Sequence, residues 1–350
     1  MENTMLIGNG FDLYHYFFTS YKDYLDVCQY IADQKMYEKK ELSVYALLDQ
    51  VFHNSNTQME RLSKYEQYYK LTRIVSEELS ELFDIVHENC WLKYLLEQKK
   101  YPNWTSLEKT VTDVLRIIES KDSKQLSPYF GDICPNSKRS SFLNEIKRNT
   151  KNLLEDFDKL IRSLKLYLKI FVDNVLEHIP PFNEKVNELF RNKEHIISFN
   201  YTHTYEKLYN PEAKVCYIHG SVDGDIIVGI NPNKDDIKGK TNPKYIGFKK
   251  YYQRIMKKTI LFMGELYFIK KNKKQSETLI CVGHSLDVTD SDIIISVFDL
   301  FDHIIIYYHN DMCLDSYIKN LTQIYGAKEF NNMLLSLKIV FAKLPENNCF

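Results

Sequence analysis

Five short stretches of the chain place small residues beside hydrogen-bonding or titratable side chains, each directly after an apolar run. The first is Gly8-Asn9-Gly10-Phe11-Asp12, following Met5-Leu6-Ile7. Two glycines one residue apart let backbone N–H groups approach a phosphate, because no Cβ blocks the way. A third glycine at position 13 would complete the dinucleotide fingerprint, but Leu13 stands there. The motif therefore also reads as a plain strand-to-helix turn, with Asp12 as an N-cap. The others are Ser198-Phe199-Asn200-Tyr201-Thr202-His203-Thr204, His219-Gly220-Ser221, Gly283-His284-Ser285-Leu286-Asp287 and His309-Asn310-Asp311. Each has an ordinary structural reading: Asn200 and His203 as turn or helix caps, His219 as a core histidine, Ser285 and Asp287 as helix caps. Their shared position argues for more. Four tips offering capping or titratable groups to one ligand are what a real site requires.

The elements that must position these tips follow from the apolar pattern. Runs at residues 4–7, Ile196–Phe199, Val215–Ile218, Ile226–Val228, Leu279–Val282, Ile304–Tyr308 and Ile339–Phe341 read as strands. They are nearly continuous rather than alternating, as strands covered by helices on both faces require. Helical patterns separate several of them, for example Asp292–Phe301 and Asp315–Tyr325. The fold class is therefore α/β, a doubly wound, mostly parallel sheet of Rossmann type. Between Gly10 and Gly220 the only glycine is Gly131, and residues 14–190 read as a large α-helical insertion after the first strand. Its best-defined helix runs from about Thr150 to His178 and is ended by Pro180-Pro181. In a doubly wound sheet, ligands bind beyond the carboxyl ends of the strands, where the polar tips fall.

Composition narrows the function classes. Among 350 residues, Lys and Arg number 46 against 47 Asp and Glu, so no global basic field draws the chain to nucleic acid or anionic membrane. No stretch of eighteen uncharged apolar residues occurs, and Met1-Glu2-Asn3-Thr4 lacks the basic region of a signal peptide. The expectation is a soluble cytoplasmic protein without membrane partners. The 7 cysteines include no C-x-x-C pair, which speaks against a disulfide framework and a structural zinc site. The Lys-rich 270–274 stretch reads as a solvated loop.

The run Ile7-Gly8-Asn9-Gly10-Phe11-Asp12 with Thr19-Ser20-Tyr21, the Trp104-x-x-Leu107-Glu108 segment, Ser198-Phe199-Asn200-Tyr201-Thr202, Ile218-His219-Gly220 and Gly283-His284-Ser285-Leu286-Asp287 followed by Asp290 resemble the phage abortive infection AbiH family. The similarity covers nearly the whole chain and implies a role in bacterial defence against phage. The order of Gly-rich turn, helical insertion, Asn tip, His-Gly tip and Gly-x-Ser tip is also similar, more distantly, to sirtuin-type NAD-binding proteins. That likeness implies a nucleotide-binding core formed by residues 1–13 and 191–350, with residues 14–190 inserted.

It further implies NAD as ligand or substrate and NAD hydrolysis, with Asn200 orienting ribose or water, His219 accepting a proton and Asp12 beside the reactive ribose. Gly8, Asn9, Gly10, Phe11, Thr202, Gly220, Gly283, His284, Ser285 and Asp287 would line the nucleotide. Thr202 stands where the sirtuin motif has aspartate, and Asp12 where it commonly has serine. The zinc-binding cysteines of deacetylating sirtuins are absent, which argues against deacetylation, and no metal cofactor is expected. The implied partners are a nucleotide, a phage-derived trigger and a second copy of the chain through the helical insertion. Two alternatives stay open: a nucleotide sensor without catalysis, and a metal-dependent nuclease toxin built on Asp12, Glu108, Asp287, Asp290 and Asp292.

Overall fold

A computed structural model describes residues 4–34, 42–101, 107–120, 126–130, 142–182, 188–230, 243–259, 264 and 277–346. Trp104 and the 270–274 stretch lie outside these residues. Six strands form one open sheet: β1 (Thr4–Ile7), β2 (His195–Ser198), β3 (Lys214–Tyr217), β4 (Thr278–Val282), β5 (His303–Tyr308) and β6 (Ile339–Lys343). Their spatial order is β3-β2-β1-β4-β5-β6, and every neighbouring pair is parallel. This is the doubly wound order, whose direction of winding reverses between β1 and β4.

The strands form here because both sheet faces are covered. Successive side chains point to opposite sides, so one short apolar run serves two cores. From β1, Met5 and Ile7 pack with Ile196, Ile280 and Val282, beneath Phe11, Phe190 and Tyr205. Leu6 faces the other way, toward Ile197, Leu279, Cys281 and the helices Ser291–Phe298 and Asp311–Tyr325. The second of these helices starts at Asn310, whose side-chain oxygen accepts from the Cys313 N–H at 2.9 Å.

Between β1 and β2 the described chain is helical. Its core gathers Phe17, Phe18, Trp91, Phe157, Tyr167 and Phe171, all fully buried, and the Trp91 Nε1–H donates to the Leu153 carbonyl at 3.0 Å. The Phe142–Leu168 helix continues through a widened π-turn, Lys169–Asp173, into Asn174–Leu176. A widened turn of this kind re-aims the side chains that follow it, and here Asp173 meets His203.

One expected strand is not a strand. Ile226–Val228 joins no sheet; Val222, Ile226, Val228 and Ile230 instead pack into the helical core with Tyr245 and Phe248. Apolar β-branched residues satisfied by side-chain burial alone gave the same signature in sequence as a sheet strand. The stretch is held near the sheet by the Ile227 N–H, which donates to the His219 carbonyl at 2.8 Å.

Candidate functional site

The tips of β1 and β4 meet at the point where the winding reverses, and three glycines make that meeting sterically possible. A Cβ on Gly8 would lie 2.6 Å from His284 Cα, one on Gly10 2.7 Å from Gly283 Cα, and one on Gly283 2.1 Å from the Phe11 nitrogen. Gly283 also has φ of +69°, a region that disfavours any side chain. The Gly8 and Gly10 backbone donors, expected to reach a phosphate, are already engaged. The Gly8 N–H donates to the Val282 carbonyl, Gly10 to Gly283 and Phe11 to Gly8. The glycines thus clamp two strand tips together.

The helix Asn9–Tyr14 begins at once, with Gly8 at its N-cap, so Asp12 lies inside the helix and caps nothing. Asp12 is 1% exposed. Its carboxylate reaches across to the β2 tip, where Oδ1 accepts from Asn200 Nδ2 at 3.0 Å and Oδ2 from the Thr202 hydroxyl at 2.5 Å. Burial pushes its pKa up to about 7, against the three hydrogen bonds from Thr202, Thr204 and Asn200 that favour the charged form. Asn200 is fixed by its N–H to Ser198 Oγ at 3.1 Å, while its Oδ1 is buried without a hydrogen-bond partner.

The β3 tip turns back sharply at Gly220, with φ of +75°, because a Cβ there would lie 1.7 Å from the Asp225 carbonyl oxygen. That turn fixes His219, which is 4% exposed with its ring edge-on to Phe199. His219 Nε2 lies 3.1 Å from Asp290 Oδ1, close enough for an ion pair though not aligned as a hydrogen bond, and Nδ1 has no partner. Burial lowers its pKa, so the ring is neutral near pH 7. It is not the backbone-satisfied core histidine of the simpler reading.

Asp290 is the hub of a buried charge cluster. Its Oδ1 also meets Lys250 Nζ at 3.0 Å, and its Oδ2 faces His284 Nε2 at 3.8 Å. Burial opposes its charge, yet Lys250, His219 and His284 together hold its carboxyl well below the usual range. Lys250, 4% exposed, has its pKa raised, with Asp290 outweighing burial. Burial lowers the His284 ring to about 4, and its Nδ1 accepts from the Leu286 N–H at 2.9 Å.

These groups border one cavity of about 1310 Å³ between the sheet's carboxyl edge and the helical layer. Of the sequence candidates, Asn9, Gly10, Asp12, Asn200, Thr202, His219, Gly283, His284, Ser285 and Asp287 line it. Gly8, Phe11 and Gly220 do not. Phe11 points the other way, its ring packed on His15, Phe190, Tyr205 and Tyr209, because the helix places positions 11 and 12 on different faces. Asp287 does cap, accepting from the Thr289 N–H at 2.9 Å, and His309 and Asn310 line the far end.

The helical layer contributes Glu108, Leu164 and Leu168 to the cavity wall, and Glu108 accepts from the Tyr21 hydroxyl at 2.8 Å. Lys250 has no signal in the sequence, being one lysine on a short helix; Asp290 stands out there within the family resemblance and as one of several carboxylates, not as the centre of a charge cluster. His203 lies outside the cavity, its Nδ1 2.6 Å from Asp173 Oδ2. Its pKa rises because Asp173 outweighs the burial that would lower it.

A family model described as Bacteriophage abortive infection AbiH matches residues 4–308. The chain belongs to the AbiH family. No curated protein matches it. The match runs from β1 through β5 and so takes in the polar tips of β1 to β4, with His309-Asn310-Asp311 just beyond its end. AbiH membership suggests an anti-phage abortive infection role and by itself names no chemistry. Of the five carboxylates named for a metal-dependent nuclease, Asp12, Glu108, Asp287 and Asp290 line the cavity, while Asp292 pairs with Arg254. Among the described residues no group of three or more His, Cys, Asp or Glu is placed to hold a metal ion. Among them, too, no helix is long and apolar enough to cross a membrane.

Proposed function

We propose that this AbiH-family protein binds NAD or a related dinucleotide in the cavity and hydrolyses the bond between nicotinamide and ribose as the effector step of abortive infection. The observation that carries the reading is convergence: Asp12, Asn200, Thr202 and His219, from three separate strand tips, border one cavity at the winding reversal of a parallel sheet. The cavity exceeds the ~300–1,000 Å³ usual for small ligands and suits an extended one. In this reading Asp12 supplies, from β1, the carboxylate that the β2 tip lacks at Thr202, to which it is hydrogen bonded.

Loss of nicotinamide leaves positive charge on the ribose, and catalysis requires groups that favour that charge more than the ground state. Asp12 in its ionised form does so beside the sugar, Asn200 orients it through its amide, and neutral His219 takes a proton from water or a hydroxyl. The test is release of nicotinamide from NAD by purified protein and depletion of NAD in infected cells. His219→Ala, with an unchanged melting temperature, is expected to abolish both. Full activity in that variant refutes the mechanism, and thermal stabilisation by NAD without turnover would mark a sensor instead.

A further inference from the structure

The Asp290 cluster lies one step behind the proposed proton acceptor, and its geometry constrains which nitrogen of His219 can act. Asp290 faces three nitrogens drawn from three separate elements: His219 at the β3 tip, Lys250 at the start of the Lys250–Met256 helix, and His284 after β4. Lys250 is itself fixed by its backbone, whose N–H donates to the Ile230 carbonyl at 2.9 Å. A lysine ammonium only donates, so the Oδ1 atom it meets is an acceptor. The same Oδ1 lies 3.1 Å from His219 Nε2. His284 obeys the same logic: its Nδ1 accepts from the Leu286 N–H, so when neutral it carries its proton on Nε2, toward Asp290 Oδ2.

We propose that Asp290, held charged by Lys250, is the positioning residue of His219: it keeps the ring proton on Nε2 and leaves the Nδ1 lone pair as the ring's one proton acceptor. Asp290 touches no reacting atom in this role. It acts as the orienting carboxylate of an acid–base histidine, the part that fixes tautomer and ring angle. The two buried nitrogens without a hydrogen-bond partner are accounted for together: Nε2 aligns on Asp290 when the ring settles on substrate, and Nδ1 takes the substrate's proton. The catalytic consequence rests on the proposed NAD hydrolysis, whereas the tautomer does not.

The test therefore has two arms. In the full-length protein labelled with ¹⁵N-histidine, His219 is assigned by the signals lost in His219→Gln, and its tautomer is read from long-range ¹H–¹⁵N couplings. The expected result is the Nε2–H tautomer in the resting protein. The Nδ1–H tautomer, or an even mixture, overturns the proposal, and this arm needs no substituted Asp290. In the second arm, kcat for NAD hydrolysis by Asp290→Asn is expected to fall by about 10²-fold or more with KM changed less than about twofold. Unchanged kcat refutes the role. Absence of NAD turnover in the unsubstituted protein would refute the proposed activity alone, and the NMR arm would still decide the tautomer.

Discussion

Asp12→Asn gives the sharpest test of the electrostatics at the β1 tip. In the folded chain burial raises the Asp12 pKa from 3.8 to about 7, whereas the unfolded chain exposes an ordinary carboxyl. Between those values the folded state holds a proton that the unfolded state has released. Stability contributed by this group therefore falls as pH rises from about 4, and levels off above about 7. One proton over the two units from pH 5 to pH 7, at about 1.4 kcal/mol per unit, is about 3 kcal/mol. Asparagine keeps the shape, can accept from Asn200 and can donate to Thr202, but does not titrate.

Asp12→Asn is accordingly expected to gain about 3 kcal/mol relative to the unsubstituted protein between pH 5 and pH 8, read by urea unfolding at each pH. The comparison matters because other groups pull the opposite way. Burial lowers His15 and His284 to about 4, so their contribution is lost as pH falls through the range from 6.5 to 4. That loss is common to both proteins and cancels in the difference. A difference independent of pH would show Asp12 ionised throughout and would remove the argument that burial controls it.

Two substitutions test the packing that holds the site. Gly283→Ala is expected to cost about 3 kcal/mol or more in chemical denaturation, because the new Cβ meets the Phe11 nitrogen at 2.1 Å and φ is +69°; a change under about 1 kcal/mol would mean the β1 and β4 tips are not clamped as described. Arg61→Leu is expected to cost about 3–5 kcal/mol, since the guanidinium makes two 3.1 Å contacts to Asp23, which is 1% exposed, and its loss leaves a buried carboxylate with its Ser20 hydrogen bonds but no counter-charge. Restoration by Asp23→Asn in the Arg61→Leu background would confirm the cause, and its absence would assign the cost to Arg61 packing over Phe18.

The sheet was legible because its strands obey a simple rule: an element covered on both faces has no polar side to show, and β1, β2, β4 and β5 are written that way. Ile226–Val228 broke the rule, since burial against helices and burial in a sheet select the same β-branched residues. The candidate residues were legible as strand tips because an abrupt change from apolar to polar marks where a strand leaves the core. Their orientation was not. Phe11 and Asp12 are neighbours in sequence and face opposite sides, and the choice depends on a helix beginning at Asn9. Lys250 was invisible for a different reason. A single buried lysine is recognised by its partner, and Asp290 lies in another element, forty residues further along the chain.

The distribution of polar cost across the molecule favours chemistry over architecture as the reason for this cluster. A buried carboxylate–lysine pair and a carboxylate whose pKa stands near 7 contribute little to stability that apolar side chains of similar size would not. Unpartnered atoms such as Asn200 Oδ1 and His219 Nδ1 each cost about 1–3 kcal/mol. The apolar side chains of β1, β2 and β4 carry no such cost: Met5, Ile7, Ile196, Ile197, Leu279 and Ile280 pack in two unbroken layers. A fold stabilised so uniformly along its strands and so poorly at one edge has that edge kept for something other than holding the sheet together. The helical layer contributes to the same arrangement, because Leu164, Leu168 and Glu108 line the cavity that Asp12 and His219 border, and burial is what shifts both groups.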